Sequence, residues 1–183
     1  MLTRIIAVVF FILLSPLYIV LALWICFEDG LPVLFRQKRV GKNYTFFFIY
    51  KFRTMKKDTP NVATHLLNNP DRYLLKSGKL LRKLSLDELP NLVNIIRGEM
   101  VFVGPRPALY NQDDLMQLRV QAGVHHLKPG ITGWAQINGR DEISIEHKVA
   151  LEAEYVQRKS FFFDAYIVLK TFTNVLASKG VAH

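Results

Sequence analysis

The sequence predicts an α+β protein: an apolar membrane anchor over residues 1–27, then a small cytoplasmic domain of helices with one β-hairpin over 28–183. Three observations lead there. Ile5 to Phe27 contains no charged side chain. Two runs rich in Val, Phe, Ile and Tyr, 33–39 and 45–53, flank Gly41-Lys42-Asn43, which reads as a hairpin turn. Beyond them, leucines and other apolar residues recur at helical spacing.

A straight helix rises about 1.5 Å per residue, so Ile5 to Phe27 is long enough for a hydrocarbon core of roughly 30 Å. Pro16 argues against a straight helix. It lacks an N–H and its ring crowds the carbonyl four residues back. In lipid that carbonyl needs a new partner, and the Ser15 hydroxyl is the nearest candidate. One cation, Arg4, precedes the run. Arg36, Lys38, Arg39, Lys42, Lys51, Arg53, Lys56 and Lys57 follow it, with no acid between Gly30 and Lys57. Such a basic flank marks the cytoplasmic side. The residues leave two topologies open, a span and a break that returns to the same side. The span leads, because membrane helices tolerate proline. A cleaved signal is excluded: the apolar core is too long, and Leu23-Trp24-Ile25 is too bulky for a cleavage site.

The remaining elements follow in order. Residues 60–72 contain prolines and asparagines and read as a loop or irregular helix. Leu74 to Leu84 forms a helix. A second helix runs from about Leu89 to Arg97, with Leu89, Leu92, Val93 and Ile96 on one face and Gly98 as its stop. Gly104-Pro105-Arg106-Pro107 is a rigid turn, 111–122 a helix, 129–140 a turn-rich loop and 144–158 a polar helix. Phe161 to Leu176 is apolar but short for a span, so it lies at the interface or covers the core.

The formal charge of +9 favours anionic lipid, phosphate or nucleotide partners. Cys26 is the only cysteine, which excludes an internal disulfide and fits a reducing compartment. The five histidines show no zinc-site spacing.

Chemistry concentrates in Ser85-Leu86-Asp87-Glu88-Leu89-Pro90. Ser85 and Glu88 match a capping box, which alone would explain the acids. The same pair of carboxylates could instead divide labour, one holding a divalent metal through hard oxygens and one acting as nucleophile. Phosphate also needs cations. Arg106 stands between two prolines, which presets its guanidinium. Arg140 follows an Asn138-Gly139 turn, and Lys51 and Arg53 alternate with Tyr50 and Phe52, so both are expected on one side of a strand. Together these cations and acids suggest a diphosphate site.

From Ser15-Pro16 onward the chain resembles the bacterial sugar transferase family, the monotopic phosphoglycosyl transferases. The resemblance rests on Val33-Leu34-Phe35-Arg36-Gln37, Tyr50-Lys51-Phe52-Arg53-Thr54-Met55, Leu84 to Pro90, Gly104 to Pro107, Pro129-Gly130-Ile131-Thr132-Gly133-Trp134-Ala135-Gln136 and Asn138-Gly139-Arg140, in that order. It implies transfer of a sugar-1-phosphate from a UDP-sugar to polyprenyl phosphate, with release of UMP. It implies Asp87 as nucleophile, forming an aspartyl-phosphosugar, and Glu88 as a Mg²⁺ ligand. It also implies that Ser15-Pro16 is a re-entrant break with both ends cytoplasmic, on the inner face of a bacterial cytoplasmic membrane. Only fourteen residues precede Ser15, so the first arm is expected to be short. Among donors, an N-acetylated hexosamine is expected, as for compact members. Partners would be the UDP-sugar, polyprenyl phosphate and membrane lipid, with pathway glycosyltransferases and a second copy as further candidates, and no nucleic acid. The alternative is a membrane-associated module that stacks bases on the Phe46-Phe47-Phe48 strand, or a scaffold. It leaves Asp87-Glu88 unexplained.

Overall fold

A computed structural model describes residues 1–60, 69–139 and 143–177. The apolar run is broken as the proline requires. Helix α1 (Leu2–Leu13) and helix α2 (Ser15–Asp29) meet at Leu14 with a bend of 60°. Pro16 sits in the first turn of α2, where a missing N–H has no helical acceptor to lose. Among the described residues no single helix is long and apolar enough to cross a membrane, and only this bent pair passes on length and composition.

Both arms pack on the domain. Ala7 of α1 is buried with Phe47, Ile49, Leu92, Ile95 and Met100. Leu21 and Ile25 of α2 are buried with Phe52, Leu75 and Leu81. Their outer faces stay exposed, including Val9, Phe10, Ile12, Ile19, Val20, Trp24 and Phe27.

The expected hairpin is present. Strands β1 (Leu34–Val40) and β2 (Phe46–Phe52) pair antiparallel, with Arg36 opposite Tyr50 and Arg39 opposite Phe47. Alternation sends Phe47 and Ile49 inward and Phe46 and Phe48 outward. Arg36 stacks on Phe48 and Lys38 on Phe46, so the chain's own cations cover these outer rings.

Helix α3 (Lys76–Lys83) follows. Gly78 lets it approach β2's exit: a Cβ there would lie 2.1 Å from the Thr54 carbonyl oxygen. The expected helix from Leu89 is split. Leu86–Asn91 is a 3-10 turn containing Pro90, and only α4 (Leu92–Arg97) is α-helical, ended by Gly98 at φ 81°. Its buried residues are Leu92, Asn94 and Ile95, while Val93 and Ile96 are only partly buried. The face is rotated because the tighter 3-10 turn shifts the phase of the helix it feeds.

Strand β3 (Val101–Val103) pairs in parallel with β4 (Gly130–Thr132). The expected loop over 129–140 therefore contains a strand, and then one helical turn, α6 (Trp134–Ile137). Close approach explains the glycines: a Cβ on Gly130 would lie 2.2 Å from the Gly104 nitrogen. Helix α5 (Asp113–Gln121) lies between β3 and β4 in sequence. Ser144 caps α7 (Ile145–Arg158) and Ser160 caps α8 (Phe161–Leu176). Phe163 and Ile167 of α8 join Val103 and Tyr155 in a core cluster. Phe161, Phe162, Tyr166, Leu169 and Phe172 of the same helix are exposed, so it covers the core with one face and bares an apolar one.

Candidate active site

Four of the expected site residues converge from three separate segments. Lys51 lies near the end of β2, Asp87 and Glu88 on the 3-10 turn, and Arg106 between β3 and α5. The Lys51 ammonium donates to Glu88 Oε1 at 2.6 Å, and Arg106 Nη1 stands 3.5 Å from the same oxygen. Lys51, Glu88, Asn91, Arg106 and Ile131 line one cleft.

The capping box is not made. Ser85 takes a left-handed conformation, φ 54°, directly after α3 and makes no side-chain cap. Its carbonyl instead accepts the Glu88 N–H at 3.4 Å. A non-glycine residue in that region costs about 1 kcal/mol or more and persists only where its surroundings hold it. The reversal turns both carboxylates away from capping, and Glu88 reaches the cations across the cleft.

Asp87 is nearly buried, at 9 % exposure. Burial raises its pKa above the usual carboxylate range. Lys51, Arg82 and Arg106 pull it down, while Glu88 pushes it up. Arg82 is a candidate site residue that the sequence motifs did not mark. It stands in a run of basic residues with nothing to mark it, and Thr54 Oγ1 accepts its Nε–H at 2.9 Å.

Arg53 goes elsewhere. Asp29 Oδ2 accepts its Nη1–H at 2.6 Å, and its Nη2 donates to the carbonyls of Asp29 and Gly30. The expectation that Lys51 and Arg53 share one side is corrected: Lys51 turns to the acidic pair, and Arg53 closes the end of α2, because β2 ends at Phe52. Arg140 lies outside the described residues.

The donor set suits a hard divalent ion. Glu88 lines a cationic cleft with the nearly buried Asp87 next to it in sequence, and Mg²⁺ commonly takes one or two carboxylates with substrate phosphates and water. Among the described residues no group of three or more His, Cys, Asp or Glu forms an all-protein cage. The chemistry of the donor set, hard carboxylate oxygens beside cations suited to phosphate, fits Mg²⁺ shared with a phosphate substrate.

Helix α2 reaches this site directly. The Tyr18 hydroxyl of α2 donates to the Leu89 carbonyl at 2.6 Å, and Leu86 and Leu89 pack against the Leu21, Ile25 and Leu81 cluster.

The chain is similar to known proteins. The sugar transferase EpsL of Bacillus subtilis (strain 168) is 47% identical over 153 residues, covering 83% of this chain and 74% of that protein. The exopolysaccharide production protein ExoY of Rhizobium meliloti (strain 1021) is 40% identical over 186 residues, covering 92% and 81%. The UDP-glucose:undecaprenyl-phosphate glucose-1-phosphate transferase of Escherichia coli (strain K12) is 37% identical over 175 residues, covering 91% of this chain but 38% of that longer protein. The bacterial sugar transferase profile matches residues 1–178, and the chain belongs to that family.

Proposed function

We propose that this chain moves a sugar-1-phosphate from a UDP-sugar to polyprenyl phosphate, through a covalent intermediate on Asp87. The observation that supports it most is that Glu88, Lys51 and Arg106 meet in one cleft, with the Asp87 carboxyl close enough to feel all three. An Asp87 oxygen attacks the phosphorus that carries the sugar. An O–P bond forms, the P–O bond to UMP breaks, and its electron pair leaves on the UMP phosphate. A polyprenyl phosphate oxygen then attacks the same phosphorus and expels the Asp87 carboxylate. No proton need move, provided Asp87 is ionised. Lys51 and Arg106 hold the diphosphate and stabilise charge on its oxygens. Glu88 would hold Mg²⁺, which when bound neutralises diphosphate charge. Splitting one displacement into two lets a soluble donor and a lipid acceptor use the same nucleophile in turn.

The bent α1–α2 pair supports a re-entrant anchor on the cytoplasmic face, with the apolar face of α8 at the interface. A cysteine at residue 2, with Cys26 replaced by Ser, should react with an impermeant thiol reagent only from the cytoplasmic side. Labelling from the other side would sink the re-entrant topology.

The E. coli relative is named for UDP-glucose, and one from Aeromonas hydrophila for UDP-N-acetylgalactosamine. A panel with both, UDP-glucose and N-acetylated hexosamines, is the deciding assay. UMP should appear with one donor class, require polyprenyl phosphate for turnover, and be accompanied by a phosphosugar adduct in intact-protein mass spectra. No release from any donor, or steady turnover without lipid acceptor, would overturn the reading.

A further inference from the structure

The Gly104–Pro107 turn is short of backbone donors, because Pro105 and Pro107 have no N–H. The Gly104 N–H donates to the Thr132 carbonyl at 2.8 Å, and beyond it the turn is held largely through acceptors. Four consecutive carbonyls are engaged. Pro105 accepts from the Gly130 N–H at 2.9 Å and Ala108 from the Val40 N–H at 3.0 Å. Between them, the Arg106 carbonyl accepts from Arg119 Nη2 at 2.9 Å and the Pro107 carbonyl from Arg39 Nη1 at 3.0 Å. The two residues of the turn nearest the cleft thus hang on side chains, not on a strand ladder.

Arg119, on α5, is itself held. Glu152 of α7 accepts its Nε–H at 2.8 Å and its Nη2–H at 2.5 Å. Arg119 is 5 % exposed and Glu152 2 % exposed. An Nη2 group carries two hydrogens, so one can serve Glu152 while the other serves the Arg106 carbonyl. A buried ion pair is poor value as a stability device, since apolar residues of similar volume hold such a position as well or better. Its geometry gives it another use. The following proline restricts Arg106 to extended backbone without fixing its peptide plane. A rigid guanidinium fork on that carbonyl removes the remaining freedom.

We propose that Arg119 and Glu152 are positioning residues, which fix the Arg106 peptide so that its guanidinium meets Glu88 and the donor diphosphate. The inference rests on the diphosphate role proposed above for Arg106. Neither residue touches substrate; both act through Arg106.

A double-mutant cycle on the full membrane-embedded chain tests this. Arg119→Met together with Glu152→Leu removes the pair without leaving a buried charge alone. In the parent background it should lower kcat/KM for the UDP-sugar by ~10-fold or more, since misplacement of a binding group by about 1 Å can cost up to 10²-fold. In an Arg106→Ala background, read with radiolabelled donor, the same change should cost under ~2-fold, because coupled residues lose additivity. Equal losses in both backgrounds would mean the pair only supports the fold, and would overturn the inference while leaving the function intact. No loss in the parent background would overturn it as well. If the paired variant fails to melt cooperatively, Glu152→Gln run through the same cycle decides by the same two criteria. Parent-like kinetics for Arg106→Ala alone would remove Arg106 from the diphosphate site, and the positioning role with it.

Discussion

The Asp87–Glu88 turn rests on Leu86 and Leu89, which pack on Leu21, Ile25, Leu75 and Leu81. The Arg106 turn, across the same cleft, hangs on four carbonyl hydrogen bonds and a buried ion pair. The difference lies in tolerance. Full burial of a Leu or Ile side chain contributes about 1.5–3 kcal/mol and is non-directional, so an apolar seat forgives small shifts. Hydrogen bonds are each worth about 0.5–1.5 kcal/mol net but are steep in angle. The carboxylates sit where helix α2 packs, on a seat that tolerates small shifts. The guanidinium that meets them is fixed by geometry.

Removing Asp87 probes the apolar seat hardest. Asp87→Asn should keep the turn in place, lose turnover by at least ~10³-fold and abolish the adduct. It should also stabilise the fold. The raised pKa means the folded state holds that proton more tightly than the unfolded one. The ionised carboxylate therefore costs stability at neutral pH. The melting temperature of Asp87→Asn should exceed the parent's at pH 7, and the gap should shrink as pH falls through the raised pKa. Activity of the parent should fall over that same range, because protonated Asp87 cannot attack. A variant that melts lower at pH 7 would show that Lys51, Arg82 and Arg106 outweigh burial at this carboxylate.

Arg106 probes the geometric side. Arg106→Ala should cost ~10²-fold in kcat/KM, the scale of losing one preorganised donor. Arg106→Lys keeps the charge but not the planar fork, so it should recover only part of the loss. Full recovery by Lys would mean that charge alone matters and that the rigid hold on this turn serves no catalytic purpose.

Glu88 is where the two sides touch, through Lys51 and Arg106. Glu88→Gln should lower activity ~10–100-fold and raise the Mg²⁺ concentration needed for half-maximal rate. Unchanged metal dependence would separate Glu88 from the ion and leave it as a partner of the two cations.

Legibility follows the same division. The apolar elements around the cleft could be read locally: Phe47 and Ile49 alternate inward, Pro16 marks the bend, and Gly98 stops α4. The acidic pair and Arg106 were also legible, as motifs. What local patterns did not carry was long-range and polar. Strand β4 is three residues among glycines and finds its partner β3 far away in sequence, so neither propensity nor period marks it. Ser85 and Glu88 have the spacing of a capping box, but the left-handed Ser85 sends Glu88 to Lys51. Lys51 and Arg53 look alike in sequence and diverge where the strand ends. Glu152 did leave a trace. With Val149 and Tyr155 it completes a buried stripe at helical spacing, and an acid in such a stripe calls for a buried cation such as Arg119.

The smallest expected effect falls on a polar tie within the apolar seat. Tyr18 packs its ring beside Phe11 and Phe52, with centroids 5.2 and 5.7 Å away, and donates to the Leu89 carbonyl. Tyr18→Phe keeps the ring and removes the donor. It should cost about 0.5–1.5 kcal/mol of stability, the net worth of one hydrogen bond. Turnover should change no more than ~2-fold, since Leu86 and Leu89 still hold the turn through the apolar contacts that supply most of its seat. Thermal melting in lipid nanodiscs and steady-state UMP release on the same samples give both numbers. A loss of turnover comparable to that of Arg106→Ala, at unchanged stability, would show that the carboxylate turn is aimed by this bond. The contrast between a yielding side and a fixed side of the cleft would then fail.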